Sequence, residues 1–126
     1  ALSLTLAEPY GDAGNEGILR PGRYLLAATG LVQNTGMKIV QISKDPNNIS
    51  ISEPYGGKLG TAPILCEGID AEIVFDGLGD KLMCNALDPD GNRMMEVPVK
   101  KNDNGDAVLR IAPEYKTVWY EISITQ

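Results

Sequence analysis

The sequence predicts an all-β chain: an antiparallel β-sandwich of jelly-roll or Greek-key type, with about ten short strands. Three observations predict it. Short apolar or alternating runs recur along the 126 residues. Turn signals rich in Gly, Pro, Asn and Asp separate them. No stretch holds a helical apolar period between capping residues.

The first run, 2–6, alternates as Leu2-Ser3-Leu4-Thr5-Leu6 and leads into Glu8-Pro9-Tyr10-Gly11. Arg20-Pro21-Gly22 opens the second, 23–32, in which Tyr24 is read as core. The third, 37–43, ends at Asp45-Pro46-Asn47-Asn48, and the fourth, 48–52, leads into a second tetrapeptide copy, Glu53-Pro54-Tyr55-Gly56. Runs 62–66 and 70–75 follow; Phe75 is read as core, and Asp76-Gly77-Leu78-Gly79 turns the chain. Runs 80–87 and 93–99 flank Asp88-Pro89-Asp90-Gly91-Asn92, a hairpin pattern. Asn102-Asp103-Asn104-Gly105 leads into 106–111. In the last run, 117–124, alternation sends Val118, Tyr120, Ile122 and Ile124 to the core and Trp119, Glu121 and Ser123 to the opposite face. Residues 1–126 read as a single module. A chain that opens on Ala1 rather than Met is expected of a processed secreted protein or of a module cut from a longer chain.

Eleven basic residues against 17 acidic give a net charge of −6. That excludes nucleic acid, which requires a basic patch, and disfavours anionic membrane surfaces. The apolar runs are too short for a membrane helix, and no signal-peptide pattern occurs. Histidine is absent, which removes Ser-His-Asp and Cys-His catalysis and His-ligated zinc. Cys66 and Cys84 lie on separate apolar segments. They read either as a disulfide or as two buried thiols, and not as zinc ligands.

The chain has one Trp, one Phe and five Tyr. Tyr10, Tyr55, Tyr115 and Trp119 fall in loops or on the outward face, where rigid β scaffolds carry binding residues. An exposed flat ring beside polar groups suits a pyranose: the sugar's C–H face lies on the ring and its hydroxyls bond the neighbours. Glu53, Glu121 and Asn34 are candidate hydrogen-bonding partners, with Gln33, Asn47, Asn48 and Arg93. A ring that loses about 50–100 Å² to a sugar gains roughly 1–3 kcal/mol. A dissociation constant of about 10–100 μM requires roughly 5–7 kcal/mol. One Trp therefore needs further rings or several hydrogen bonds.

Asp88, Asp90 and Asn92 place oxygens at alternate positions, as a calcium loop does. The bidentate Glu of an EF-hand is missing, since Val99 stands in its place, and the same segment reads first as an ordinary hairpin turn. A structural calcium is the one metal the sequence suggests. Paired carboxylates such as Glu8 with Glu53, or Glu67 with Glu72, show no spacing that implies a glycosidase cleft. No enzymatic activity is expected.

Two stretches carry a resemblance. One is Gly22-Arg23-Tyr24-Leu25-Leu26-Ala27-Ala28-Thr29-Gly30-Leu31-Val32-Gln33-Asn34-Thr35-Gly36-Met37. The other runs from Gly60-Thr61-Ala62-Pro63-Ile64-Leu65-Cys66-Glu67-Gly68 through Ala86-Leu87-Asp88-Pro89-Asp90-Gly91-Asn92-Arg93 to Val97-Pro98-Val99, and closes with Lys116-Thr117-Val118-Trp119-Tyr120-Glu121-Ile122. Together these resemble the C-terminal β-sandwich modules appended to large bacterial glycoside hydrolases. Tyr55-Gly56 stands where such modules often carry Trp-Gly, followed here by an insertion-like Gly57-Lys58-Leu59-Gly60. The resemblance implies a secreted polysaccharide-degrading parent enzyme. It implies as partners a polysaccharide (β-glucan, xyloglucan or a related chain) and the catalytic domain of the same chain, with the module itself a monomer. The alternative it leaves open is an accessory domain that packs on the catalytic domain without binding sugar.

Overall fold

The computed structural model describes residues 1–9, 19–40, 47 and 56–126. Among these, the chain is all-β, with ten strands in three antiparallel sheets. It divides into two compact units, one formed by Ala1–Gly30 with Gly68–Gln126 and the other by Leu31–Glu67.

The larger unit is a sandwich of two sheets. The first contains β1 (Leu2–Pro9), β2 (Gly22–Ala28), β6 (Leu82–Leu87), β7 (Arg93–Val97) and β10 (Trp119–Ile124), in the order β1-β2-β10-β6-β7. The second contains β5 (Ala71–Phe75), β8 (Val99–Lys101) and β9 (Ala107–Ile111), in the order β5-β9-β8. The last strand in sequence is thus the middle strand of the larger sheet, paired antiparallel with both β2 and β6.

Alternation in sequence becomes alternation in burial. On β2 Tyr24, Leu26 and Ala28 point inward; on β6 Leu82, Cys84 and Ala86; on β10 Tyr120, Ile122 and Ile124. From the smaller sheet β9 contributes Ala107, Leu109 and Ile111, and Phe75 of β5 joins them in one cluster. Both sheets feed it, as in a sandwich core. Tyr24 and Phe75 occupy the core positions read from the sequence, and the Tyr24 hydroxyl donates to the Arg20 carbonyl at 2.7 Å. Val118 falls in a bend before β10 rather than in the strand.

Two predicted strands are split. The run 93–99 breaks at Pro98 into β7 and β8, which belong to different sheets. Proline lacks the N–H that a continuous ladder requires, so it marks the corner at which the chain changes sheet. The run 23–32 breaks at Thr29-Gly30-Leu31, where the larger unit gives way to the smaller. Of the run 37–43, Lys38 forms an isolated bridge with Lys58; residues 41–43, and the run 48–52, lie outside the described residues.

The smaller unit contains β3 (Val32–Thr35) and β4 (Thr61–Cys66), a two-stranded ribbon. Its entry and exit are pinned together. The Glu67 N–H donates to the Leu31 carbonyl at 2.8 Å, and the Leu31 N–H donates to Glu67 Oε2 at 3.1 Å. Both cysteines are free thiols, Cys66 exposed on β4 and Cys84 buried on β6. Burial pushes the Cys84 thiol up to about 12.

Leu109 is fully buried at the centre of β9. Leu109→Ala should cost about 2–5 kcal/mol in urea unfolding, the transfer loss plus the cavity left behind. Met83→Ala, on the solvent face of β6, should stay within about 0.5 kcal/mol of the parent.

Candidate functional site

The outer face of the larger sheet carries a connected set of charged side chains. Register places Leu25 of β2 and Asn85 of β6 directly beside Glu121 of β10. Arg93 Nε donates to Glu121 Oε1 at 2.8 Å, and Arg93 Nη2 lies 2.6 Å from the same oxygen. Arg23 Nη1 stands 3.6 Å from Glu121 Oε2, and Arg23 also pairs with Glu8. The result is a ladder of alternating charge, Glu8–Arg23–Glu121–Arg93, across the sheet. Glu121, whose side chain is only 14% exposed, spends its carboxylate on two arginines.

Trp119 opens β10 on this same face and is 38% exposed. It forms one wall of a cavity of about 300 Å³. Leu25 and Leu87 supply further apolar wall, and the turn Asp88–Gly91 supplies the rim. Thr117 ties these parts together: its hydroxyl donates to the Leu87 carbonyl at 2.6 Å and accepts the Trp119 N–H at 3.0 Å. Among the described residues, nothing accepts the Trp119 indole N–H.

The rim is rigid for a local reason. Asp88 Oδ1 accepts the backbone N–H groups of Asp90 at 2.9 Å and Asn92 at 2.8 Å. Asp88 Oδ2 accepts from Asn92 Nδ2 at 3.1 Å. Gly91 sits at φ 85°, in the left-handed region that completes this hairpin loop. The hydrogen bond from the Asn92 amide, followed by that from the Asn92 N–H, holds the Asp88 carboxyl below the usual aspartate range. Asp90 is exposed, and its carboxylate has no partner among the described residues.

The remaining candidates lie as follows. Tyr115, on a single 3-10 turn (Pro113–Tyr115), is half-buried and packs edge-on against the buried Tyr120, with ring centroids 6.3 Å apart. Asn34 belongs to the smaller unit and donates through Nδ2 to the Leu59 carbonyl at 3.0 Å. Tyr10, Tyr55 and Glu53 lie outside the described residues, as does Asn48. For calcium, the Asp88 carboxylate meets three N–H donors of its own turn, with which a cation at Asp88, Asp90 and Asn92 would compete. Among the described residues no group of three or more Asp, Glu or Cys side chains forms a metal cage.

Sequence reasoning identified Trp119 and the Asp88 turn separately. That they share one cavity was not foreseen, nor were Leu25 and Leu87 as its apolar walls. The signal lay in the pairing of β10 with β6, which brings residue 119 level with residue 87, and such non-local register is not written in either segment alone.

No family model matches the chain, and neither does any curated protein or solved structure.

Among the described residues, three aspartates are depressed in the folded state: Asp88 as above, Asp70 by its hydrogen bond to Arg110, and Asp106 by the Gly77 N–H followed by the Asn102 amide. A carboxylate held below its unfolded pKa stabilises the fold above that pKa, and the stabilisation is lost as pH falls through the folded value. Stability should therefore be flat above about pH 5 and decline below about pH 4. Asp70→Asn and Asp106→Asn should each flatten that decline, read as urea midpoints at stepped pH. An unchanged acid slope in both variants would remove these carboxylates from the acid response.

Proposed function

We propose that the chain is a non-catalytic carbohydrate-binding module of a bacterial, secreted polysaccharide hydrolase, and that it takes β-glucan-type chains at the Trp119 cavity. The observation that carries this reading is the half-exposed indole set in an open apolar cavity beside a rigid turn. Leu25, Leu87 and the indole face suit the C–H surface of a pyranose, while the indole N–H and the Asp90 carboxylate are left to bond its hydroxyls. Stacking contributes about 1–3 kcal/mol, and each hydrogen bond about 0.5–1.5 kcal/mol net. This cavity alone therefore supports dissociation constants near about 1 mM. Tighter binding would require rings beyond Trp119.

A specific observation also favours the accessory-domain reading. The β3–β4 ribbon and its flanks expose Ile64 at 69%, Leu59 at 60% and Leu31 and Val32 at 53% each. A two-stranded ribbon is marginal on its own, and apolar exposure of this kind marks interaction surfaces. On that reading the ribbon packs on a catalytic domain.

Affinity electrophoresis through a panel of β-glucans separates the two. Trp119→Ala should weaken retardation by roughly five- to a hundredfold, the equivalent of the stacking energy. Unchanged retardation in that variant would move the site elsewhere. If no glucan retards the parent while light scattering shows self-association that Ile64→Asp abolishes, the accessory reading replaces the first.

A further inference from the structure

We propose that the glucan chain preferred by the Trp119 cavity is one whose units carry protonated amines, a β-linked polymer of glucosamine rather than a neutral glucan. The proposal rests on the carbohydrate-binding reading above and names the charge of its ligand.

The argument is a charge balance at the cavity. On the outer face, Glu8 and Glu121 are matched by Arg23 and Arg93. Asp88 and Asp90 at the rim are not: among the described residues neither forms an ion pair with a cation. Asp88 keeps its negative charge because its oxygens meet only N–H dipoles, from Asp90, Asn92 and the Asn92 amide. Asp90 is exposed with its carboxylate unpartnered, so it is free to accept. The nearest cation in sequence, Arg93, is engaged by Glu121. Two uncompensated carboxylates therefore border an indole face on a chain of net charge −6.

A neutral sugar hydroxyl draws only one hydrogen bond from this rim. An ammonium group draws more from the same atoms. Its N–H groups make a charge-assisted bond to Asp90. It gains long-range attraction from Asp88. The indole face attracts a cation placed over it, while the apolar walls still receive the sugar's C–H surface. A uronate chain, by the same balance, is repelled.

The test is calorimetric titration with β-1,4-linked oligomers of glucosamine, N-acetylglucosamine and glucose of equal length. It is run at about pH 5.5, above the usual carboxylate range, where the sugar amine keeps its proton. The glucosamine oligomer should bind about tenfold more tightly than either neutral oligomer. Asp90→Asn should remove most of that preference, weakening the glucosamine oligomer by more than it weakens the neutral oligomers, which lose one hydrogen bond to the carboxylate. Trp119→Ala should weaken all binding. Asp103→Asn, which removes an equal charge from the other hairpin, should change nothing. If the glucose oligomer binds as tightly as the glucosamine oligomer, the amine preference is overturned and the carbohydrate reading stands. If no oligomer binds, both fall. Glucosamine binding that persists undiminished in Trp119→Ala is diffuse attraction to an acidic surface and also overturns the proposal.

Discussion

The register of β10 is the constraint on which the larger unit depends. This strand is last in the chain and central in its sheet, bonded to β2 on one side and β6 on the other. Its inward residues Tyr120, Ile122 and Ile124 are all but fully buried. A slip of one residue would turn Trp119, Glu121 and Ser123 inward and expose the isoleucines. The hydrophobic burial that fixes Ile122 is therefore what sets Trp119 on the outer face and level with Leu87. The cavity follows from the core, with no separate device needed to aim the indole. Long-range pairing of this kind also closes large loops, whose entropy the non-local contacts must offset.

The charge ladder on the outer face follows from the same register. Glu8, Arg23, Glu121 and Arg93 alternate across β1, β2, β10 and β7, and each neighbour is opposite in sign. Only the Glu8–Arg23 pair is exposed at both ends, and such pairs contribute about 0–1 kcal/mol; the nearly buried Glu121 loses hydration as it gains its arginines, so the ladder is not the main source of stability. Its effect is chemical. It consumes Glu121, which alternation alone had placed beside Trp119 as a hydrogen-bonding group, and it shifts the polar side of the cavity to the Asp88 turn. A local reading of Trp119-Tyr120-Glu121 sees a ring and a carboxylate side by side. The sheet shows that carboxylate already saturated by residues nearly a hundred and nearly thirty positions away in sequence.

Local sequence carried the fold class, because period-2 alternation survives as alternation in burial along β2 and β9, and along β6 and β10 except where Leu87 and Ser123 are buried as well. It also carried the two hairpin turns and the core placement of Tyr24 and Phe75. It failed where one apolar run serves two purposes. Residues 93–99 form a continuous pattern, yet Pro98 divides them between two sheets. Residues 23–32 are equally continuous, yet Gly30 divides them between two units. In each case the breaking residue stands inside a run whose apolar pattern continues on both sides of it. At the site, Trp119 was legible as an outward aromatic on a strand of readable phase. Leu25 and Leu87 were not, because a leucine on an outer face declares no purpose until its neighbour across the sheet is known.

Two hairpins of the larger unit, β6–β7 and β8–β9, show how an acidic turn should be weighed. Asp88–Asn92 and Asn102–Asp106 are the same construction with the side chains exchanged. In the first, Asp88 accepts two backbone N–H groups and the Asn92 amide. In the second, Asn102 Oδ1 accepts the N–H groups of Asn104 and Asp106, both at 2.9 Å, and its amide donates to Asp106 Oδ2 at 3.1 Å. Gly105 adopts the same φ of 85° as Gly91. The pairing of carboxylate with carboxamide thus serves the turn in both places, and neither pair needs a ligand to account for it. What distinguishes the first hairpin is its neighbour: an indole and two leucines beside Asp88–Gly91, with Asp90 projecting from a frame that Asp88 has already made rigid. A functional reading of this turn therefore rests on Asp90 and Trp119, while Asp88, its carboxyl held below the usual aspartate range by the turn's own donors, serves as the frame.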